Sequence, residues 1–281
     1  MTDYTQHKKL YLLCFTEDTA EDAELLFKNV FSKAKMLCEY NAEGLPIAML
    51  YLMDAKIVDN GKKDDYYYLY AACTHPDYRG KGIMASLLEK AKAEAVKDNK
   101  KGIFLKPANP PLFDFYAKSD FLPYFKVCKV TMNSAEFTSR YPKTDICTKA
   151  TDLSEWYSLR QNFLKNLCCP YVEFSKEMLT TAADGGKIVK AEDFGFVYEV
   201  RDELFLVKEA IFKSGSGERL FSAISKALAE TNCEKVEIRL PPALISELSS
   251  FDNPLKPFSV MWFTENGKSF KTNGHHGFAF D

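Results

Sequence analysis

The clearest pattern of apolar and polar positions lies between Tyr66 and Lys97. Tyr66–Cys73 (YYYLYAAC) is an unbroken apolar and aromatic run, which predicts a strand buried on both faces. Ile83, Leu87, Leu88, Ala91 and Ala95 then recur at three- and four-residue spacing, one face of a helix from Ile83 to about Lys97. Glu89, Lys90, Lys92 and Glu94 lie mostly on its other faces. Asp98-Asn-Lys-Lys-Gly102 ends the helix with basic residues suited to the negative end of its dipole.

The flanking segments follow the same logic. Leu10–Phe15 reads as a first strand. Thr16 is the expected N-cap of a helix from about Asp18 to Lys35, with Ala23, Leu26, Phe27, Val30 and Phe31 on one face. Leu37–Tyr40 is strand-like, Asn41–Gly44 carries turn chemistry, and Pro46–Met53 (PIAMLYLM) is another buried strand. Asp59–Asp65 is expected to be a polar hairpin loop. After Gly102 come a strand over Ile103–Lys106, a break at Pro107–Pro111 and a short helix over Leu112–Ser119. A strand pair begins near Tyr124. The order is β-α-β-β-α-β-α-β, an α/β mixed sheet over roughly residues 4–135.

Asn133–Thr148 is polar, contains Pro142, and reads as a linker, so the domain division runs 1–135, 136–148 and 149–281. The second half repeats the first in outline. A helix is expected over Asp152–Lys165, then strands over Lys187–Ala191, Phe194–Val200 and Leu204–Ile211. An amphipathic helix follows over Arg219–Thr231, with Leu220, Phe221, Ile224, Ala227 and Leu228 inward, and then a strand over Lys235–Leu240.

Composition narrows the function. A formal net charge of −2 argues against general nucleic-acid binding. No apolar run reaches the ~18 residues a membrane span needs, and Leu10–Phe15 is too short for a secretory signal. A cytoplasmic protein is expected. The 8 cysteines are scattered, without a Cys-x-x-Cys pair, as in a protein with reduced thiols. The four histidines show no metal-ligand spacing, and His275 and His276 are expected at the surface.

The basic turn Arg79-Gly80-Lys81-Gly82 joins the Tyr66–Cys73 strand to the Ile83 helix. The first N–H groups of a helix lack internal partners and sit at the positive end of the dipole, so they suit an anion. Glycine lets the chain turn and a ligand approach. The spacing matches neither a P-loop nor a dinucleotide fingerprint, since Ala85 stands where the latter has its third glycine. The string HPDYRGKGIMASLL, His75–Leu88, resembles the acyl-CoA loop of the GNAT superfamily of N-acetyltransferases. That family's signature is Arg/Gln-x-x-Gly-x-Gly/Ala. Arg79, Gly82 and Met84 fall on it, Met84 departing from the small final residue. The tail, KPFSVMWF and HHGFAFD, resembles the ends of bacterial proteins with two tandem GNAT domains. The second half is then a degenerate copy, whose loop Ser214–Glu218 lacks the leading arginine and carries a carboxylate.

This resemblance implies a GNAT fold and an acetyl-CoA cofactor. By position, Ala72, Cys73 and Thr74 would pair with the pantetheine arm. The backbone of Arg79, Gly80, Lys81, Gly82, Ile83, Met84 and Ala85 would hold the pyrophosphate. FYAKSDF, Phe115–Phe121, is similar to the family's Phe-Tyr-x-x-x-Gly-Phe. It puts Tyr116 on the residue that protonates the leaving thiolate, with Asp120 in place of glycine. Asn109 matches an asparagine near the CoA arm. The implied reaction is direct attack of a small-molecule or peptide amine on the thioester, by a monomer or homodimer. The base stays open: Glu17, Asp18, Glu21, Asp22, Asp64 and Asp65 are candidates better read as solvated charges, a water chain is another route, and the terminal carboxylate of Asp281 is a third. His75 reads as part of the turn. A CoA-binding sensor or scaffold without turnover is the alternative. A tRNA-dependent aminoacyltransferase fits poorly, because it needs a strongly basic RNA surface and this chain is slightly acidic.

Overall fold

The computed structural model describes residues 4–146, 148–167, 169–182, 186–244, 255–265, 267 and 274–277. The chain begins with helices α1 (Thr5–Cys14) and α2 (Ala20–Asn29). The strand expected at Leu10–Phe15 is thus the end of a helix. A short apolar run alone cannot separate strand from helix, and the residues α1 buries, His7, Leu10 and Tyr11, stand three and four apart. α2 is capped by Thr19 rather than Thr16, through a capping box with Asp22. It ends at Asn29, short of Lys35, and a single 3-10 turn follows at Phe31–Lys33.

Strands β1 (Lys35–Tyr40), β2 (Pro46–Asp59) and β3 (Lys62–Thr74) form an antiparallel meander. The β2–β3 hairpin closes at Asn60-Gly61, both at positive φ, 49° and 79°. A two-residue turn of that kind fits the strand twist. Lys62–Asp65, expected in a loop, therefore pair in the strand. Next come α3 (Ile83–Lys97), β4 (Gly102–Leu105), α4 (Pro111–Ala117), β5 (Leu122–Pro123) and β6 (Lys126–Asn133).

The segment expected as a linker starts with helix α5 (Ser134–Arg140). Its Phe137 and the following Tyr141 are buried, a helical i, i+4 pair in a polar background. Both rings lie against Phe221, at centroid distances of 6.1 and 4.7 Å. The remaining elements are β7 (Lys149–Ala150), α6 (Leu153–Lys165), β8 (Tyr171–Glu173), α7 (Lys176–Ala182), β9 (Lys187–Lys190), β10 (Phe194–Arg201), β11 (Leu204–Phe212), α8 (Gly217–Leu228), β12 (Lys235–Leu240), β13 (Leu255–Pro257) and β14 (Val260–Phe263).

Among the described residues these strands make two mixed sheets. The first has the order β1-β2-β3-β4-β14-β5, with β8 also on β2; the second is β13-β6-β12-β11-β10-β9-β7. Each sheet holds one parallel pair, β3–β4 or β11–β12, and the helix between its two strands is α3 or α8. The halves exchange strands. β6 leaves the first half to pair with β12, and β14 returns from the far end to lie between β4 and β5. Gly102 permits that return: a Cβ there would lie 2.3 Å from the Trp262 carbonyl oxygen.

The three largest apolar clusters among the described residues follow from this layout. α3 covers one face of the first sheet, and α8 with α5 covers one face of the second. The third cluster joins α1, α2 and the other face of the first sheet to Trp156, Val197 and Ile211. No helix among the described residues is long and apolar enough to cross a membrane.

Candidate active site

β3 and β4 pair only at Tyr67–Ile103 and Tyr68–Phe104. Beyond that, β3 runs on to Thr74 while β4 ends at Leu105. Past those two pairs the strands part, so the sheet opens as a wedge. A bulge sits in the same stretch. Ala71 has φ +52°, and the register with β2 shifts between Met49 and Tyr51. An extra residue in one strand reverses which face later side chains meet. Ala72 consequently packs with the α3 cluster, and Cys73 with the opposite one.

The turn after β3 is held by its own side chains. His75 Nδ1 accepts the Asp77 N–H at 3.3 Å, as expected of a turn residue rather than a base. Arg79 Nε donates to the Thr74 carbonyl at 3.1 Å, and Lys81 Nζ to the Asp77 carbonyl at 3.0 Å. Gly80 and Gly82 both have φ +76°, a conformation costly for other residues. Gly82 is the N-cap of α3 and brings no side-chain cap. The first helical bond runs from the Ser86 N–H to the Gly82 carbonyl, 3.0 Å. The N–H groups of Ile83, Met84 and Ala85 precede it and have no acceptor inside the helix. Met84 packs its side chain on the α3 cluster, so a larger residue at the signature's small position leaves the backbone edge open.

Tyr116 in α4 is buried at 6 % exposure. Burial, and secondarily the neighbouring Cys73, hold its hydroxyl well above the usual tyrosine range. Asp120, where the family signature has glycine, still adopts a glycine-like φ of +60° and pairs with Lys92 at 3.3 Å. Aspartate tolerates that region better than most residues. Asn109 stands apart. It is exposed, and its carbonyl accepts the Leu112 N–H at 3.2 Å.

Two groups escaped the sequence reading. Cys14, at the end of α1, donates its thiol to the Thr74 carbonyl at 3.5 Å. A hydrogen bond from Cys73, and then the Arg79 guanidinium, bring the Cys14 thiol down to about 7 against the opposing effect of burial, while Cys73 is pushed up. The helical spacing of Tyr4, His7, Tyr11 and Cys14 was the available signal. The second group is a chain of hydroxyls on the face away from α3. Tyr70 hydrogen-bonds Tyr11, and the Tyr11 hydroxyl donates to Asp18. Burial raises both tyrosines far above their usual range.

The other acidic candidates serve the fold or solvent. Asp22 closes the α2 capping box, Asp64 pairs with Lys62 at 3.0 Å and Asp65 with Lys56 at 2.9 Å. Glu17 and Glu21 are exposed. Asp281 lies outside the described residues. His275 and His276, expected at the surface, are 3 % and 0 % exposed. His275 Nε2 bonds Glu209 at 2.7 Å, and Arg160 Nε donates to the same carboxylate at 2.8 Å. His276 sits among the rings of Tyr68, Phe104, Phe125, Phe174 and Phe258, each 5.2–6.0 Å away. In the second half, α8 starts at Gly217, where Ser216 and Gly217 are buried, unlike the exposed Lys81 and Gly82.

Residues 6–121 match the profile described as the Acetyltransferase (GNAT) family. Solved structures with the same fold span almost the whole chain. One is a conserved protein of unknown function from Enterococcus faecalis, described as a probable N-acyltransferase, with TM-score 0.73, 13 % identity, 93 % of this chain and 70 % of that one covered. A GCN5-related N-acetyltransferase from Anabaena variabilis gives TM-score 0.73 and 13 % identity, with 94 % and 71 % covered. The Saccharomyces cerevisiae N-myristoyltransferase with bound myristoyl-CoA gives TM-score 0.55 and 8 % identity, with 92 % and 79 % covered. No curated protein matches in sequence. The fold is that of the acyl-CoA N-acyltransferases. The stretch that matches the GNAT family profile, residues 6–121, contains the wedge, the glycine turn and Tyr116.

Proposed function

We propose that this protein is an acetyl-CoA-dependent N-acetyltransferase acting on a primary amine of a small molecule or peptide. One observation carries the reading: β3 runs on past its last pair with β4, through Ala72–Thr74, and leads directly into an open helix start at Gly82. An extended arm ending in a pyrophosphate needs those two features in that order. Ala72, Cys73 and Thr74 would pair with the pantetheine as another strand does. The amides from Arg79 to Ala85, with the charges of Arg79 and Lys81, would take the pyrophosphate. Asn109, on the far side of the wedge, would meet the arm.

Acetyl-CoA supplies an acyl carbon activated as a thioester. The residues around it orient the amine, remove its proton and protonate the departing sulfur. Tyr116 is suited to the last task. Burial keeps its hydroxyl protonated at neutral pH, and the same dry surroundings penalise a bare thiolate. Tyr70, Tyr11 and Asp18 offer a route by which the amine proton reaches solvent. The N-myristoyltransferase neighbour is described with an acyl-CoA bound, which supports the cofactor class.

We also read residues 149–281 as a second, degenerate GNAT-like unit. β9, β10, β11, α8 and β12 repeat the order and pairing of β1, β2, β3, α3 and β4. Its buried helix start and Glu218 argue against a second cofactor site.

Calorimetric titration with acetyl-CoA, beside a Gly82→Glu variant, tests the reading. Micromolar-range binding that the variant loses is the expected result. Absence of binding to the wild type overturns the assignment. Binding without turnover of any amine in a broad panel would favour the sensor or scaffold.

A further inference from the structure

We propose that Cys14 and Cys73 are an oxidation site, forming a reversible disulfide beside the cofactor wedge. The bond itself does not depend on the function proposed above; its effect on turnover does.

The two cysteines come from separate elements, the end of α1 and the end of β3. The Cys14 thiol reaches the carbonyl of Thr74, the residue after Cys73, at 3.5 Å. Both side chains pack on the same apolar cluster. Cys73 faces this way only because the Ala71 bulge turns it; in a regular strand it would face α3. Arg79 donates to the same Thr74 carbonyl at 3.1 Å, which brings a fixed positive charge to the pair. Such a charge favours thiolate.

The two thiols also differ in the way an oxidation site requires. Cys14 is partly exposed, so a small oxidant reaches it, and Cys73 is buried. Cys14 sits near 7, whereas burial drives Cys38 and Cys128 to about 11. With a hydroperoxide as oxidant, the Cys14 thiolate attacks one peroxide oxygen. The O–O bond breaks, hydroxide or alkoxide leaves, and Cys14 becomes a sulfenic acid. The Cys73 thiol then attacks the Cys14 sulfur. The S–S bond forms, the S–O bond breaks, and the hydroxyl leaves with the Cys73 proton as water. Two thiols are oxidised by two electrons and one peroxide is reduced.

Closure would bind Cys73 to α1. Cys73 lies in the stretch assigned to the pantetheine and is an electrostatic neighbour of Tyr116. A small displacement of a positioned group costs heavily in rate, so the oxidised form should be weak in cofactor binding, turnover or both.

The test treats full-length protein with one equivalent of hydrogen peroxide, blocks free thiols with iodoacetamide and maps the peptides. The expected product is a Cys14–Cys73 linked peptide that dithiothreitol removes. Acetyl-CoA affinity or turnover should fall roughly tenfold or more and return on reduction. The Cys14→Ser variant should keep its activity through the treatment. Both cysteines recovered alkylated, Cys14 carried to sulfinic acid with Cys73 free, or equal loss of activity in Cys14→Ser would each overturn the proposal. A linked peptide in a protein that never binds acetyl-CoA would keep the oxidation site and remove the proposed function instead.

Discussion

Val260, from the far end of the chain, pairs with Leu105 on the strand that borders the wedge. The exchange is reciprocal, since β6 pairs with β12 in the other sheet. Residues 1–135 expressed alone would leave the outer edge of β4 bare and β6 without a partner. Exposed apolar edges promote association. The fragment is expected to be aggregated or largely disordered by circular dichroism, with no acetyl-CoA binding. A folded, monomeric fragment that binds would contradict the exchange.

Tyr116→Phe removes one hydroxyl and little volume. If Tyr116 protonates the thiolate, turnover should fall roughly 10²- to 10⁴-fold, with the acetyl-CoA dissociation constant nearly unchanged. Steady-state kinetics and calorimetry separate the two. Undiminished turnover would assign the proton to another donor.

Asp18 receives the end of the Tyr70–Tyr11 chain. Asp18→Asn keeps its shape and removes its charge. A loss of roughly tenfold or more in turnover is expected, recovered in part at higher pH as more of the amine arrives unprotonated. A pH–rate profile identical to wild type would exclude the relay.

Glu209 governs stability in acid. Burial favours its neutral form, but Arg160 and His275 outweigh that and hold the carboxyl at about 2. The unfolded chain takes up this proton at a reference value near ~4.3. The stabilisation is therefore complete above that pH and is lost as pH falls towards about 2. His275, lowered chiefly by burial, acts in the same direction below its ordinary range. Glu209→Gln leaves Arg160 buried beside a neutral group and should cost about 3 kcal/mol at neutral pH. The gap between variant and wild type in urea unfolding should narrow at pH 3. A constant gap would mean that ionisation is not its source.

The helix from Ile83 to Lys97 was legible to the residue, because an apolar stripe, a glycine start and a basic end agree there. So was the turn before it, because the positive φ of Gly80 and Gly82 is a local requirement. Leu10–Phe15 was not, since a short apolar run fits either period. Cys73 could be assigned to the cleft but not to a face, because parity depends on one extra residue at Ala71. His275 and His276 look like a solvated pair in a glycine-flanked tail. Their burial depends on Glu209 and a cage of aromatic rings assembled from distant segments. Strand exchange was invisible for a related reason: periodicity shows that Val260–Phe263 is a strand, not which neighbour it takes.

The exchange also sets an order of events during synthesis. The wedge and the glycine turn leave the ribosome early, but the sheet behind them lacks β14 until Phe263 has emerged. Pairing over such separations is slow. Until it is complete, the nascent chain carries an apolar strand edge that invites chaperones, and the candidate site stands on an unfinished sheet.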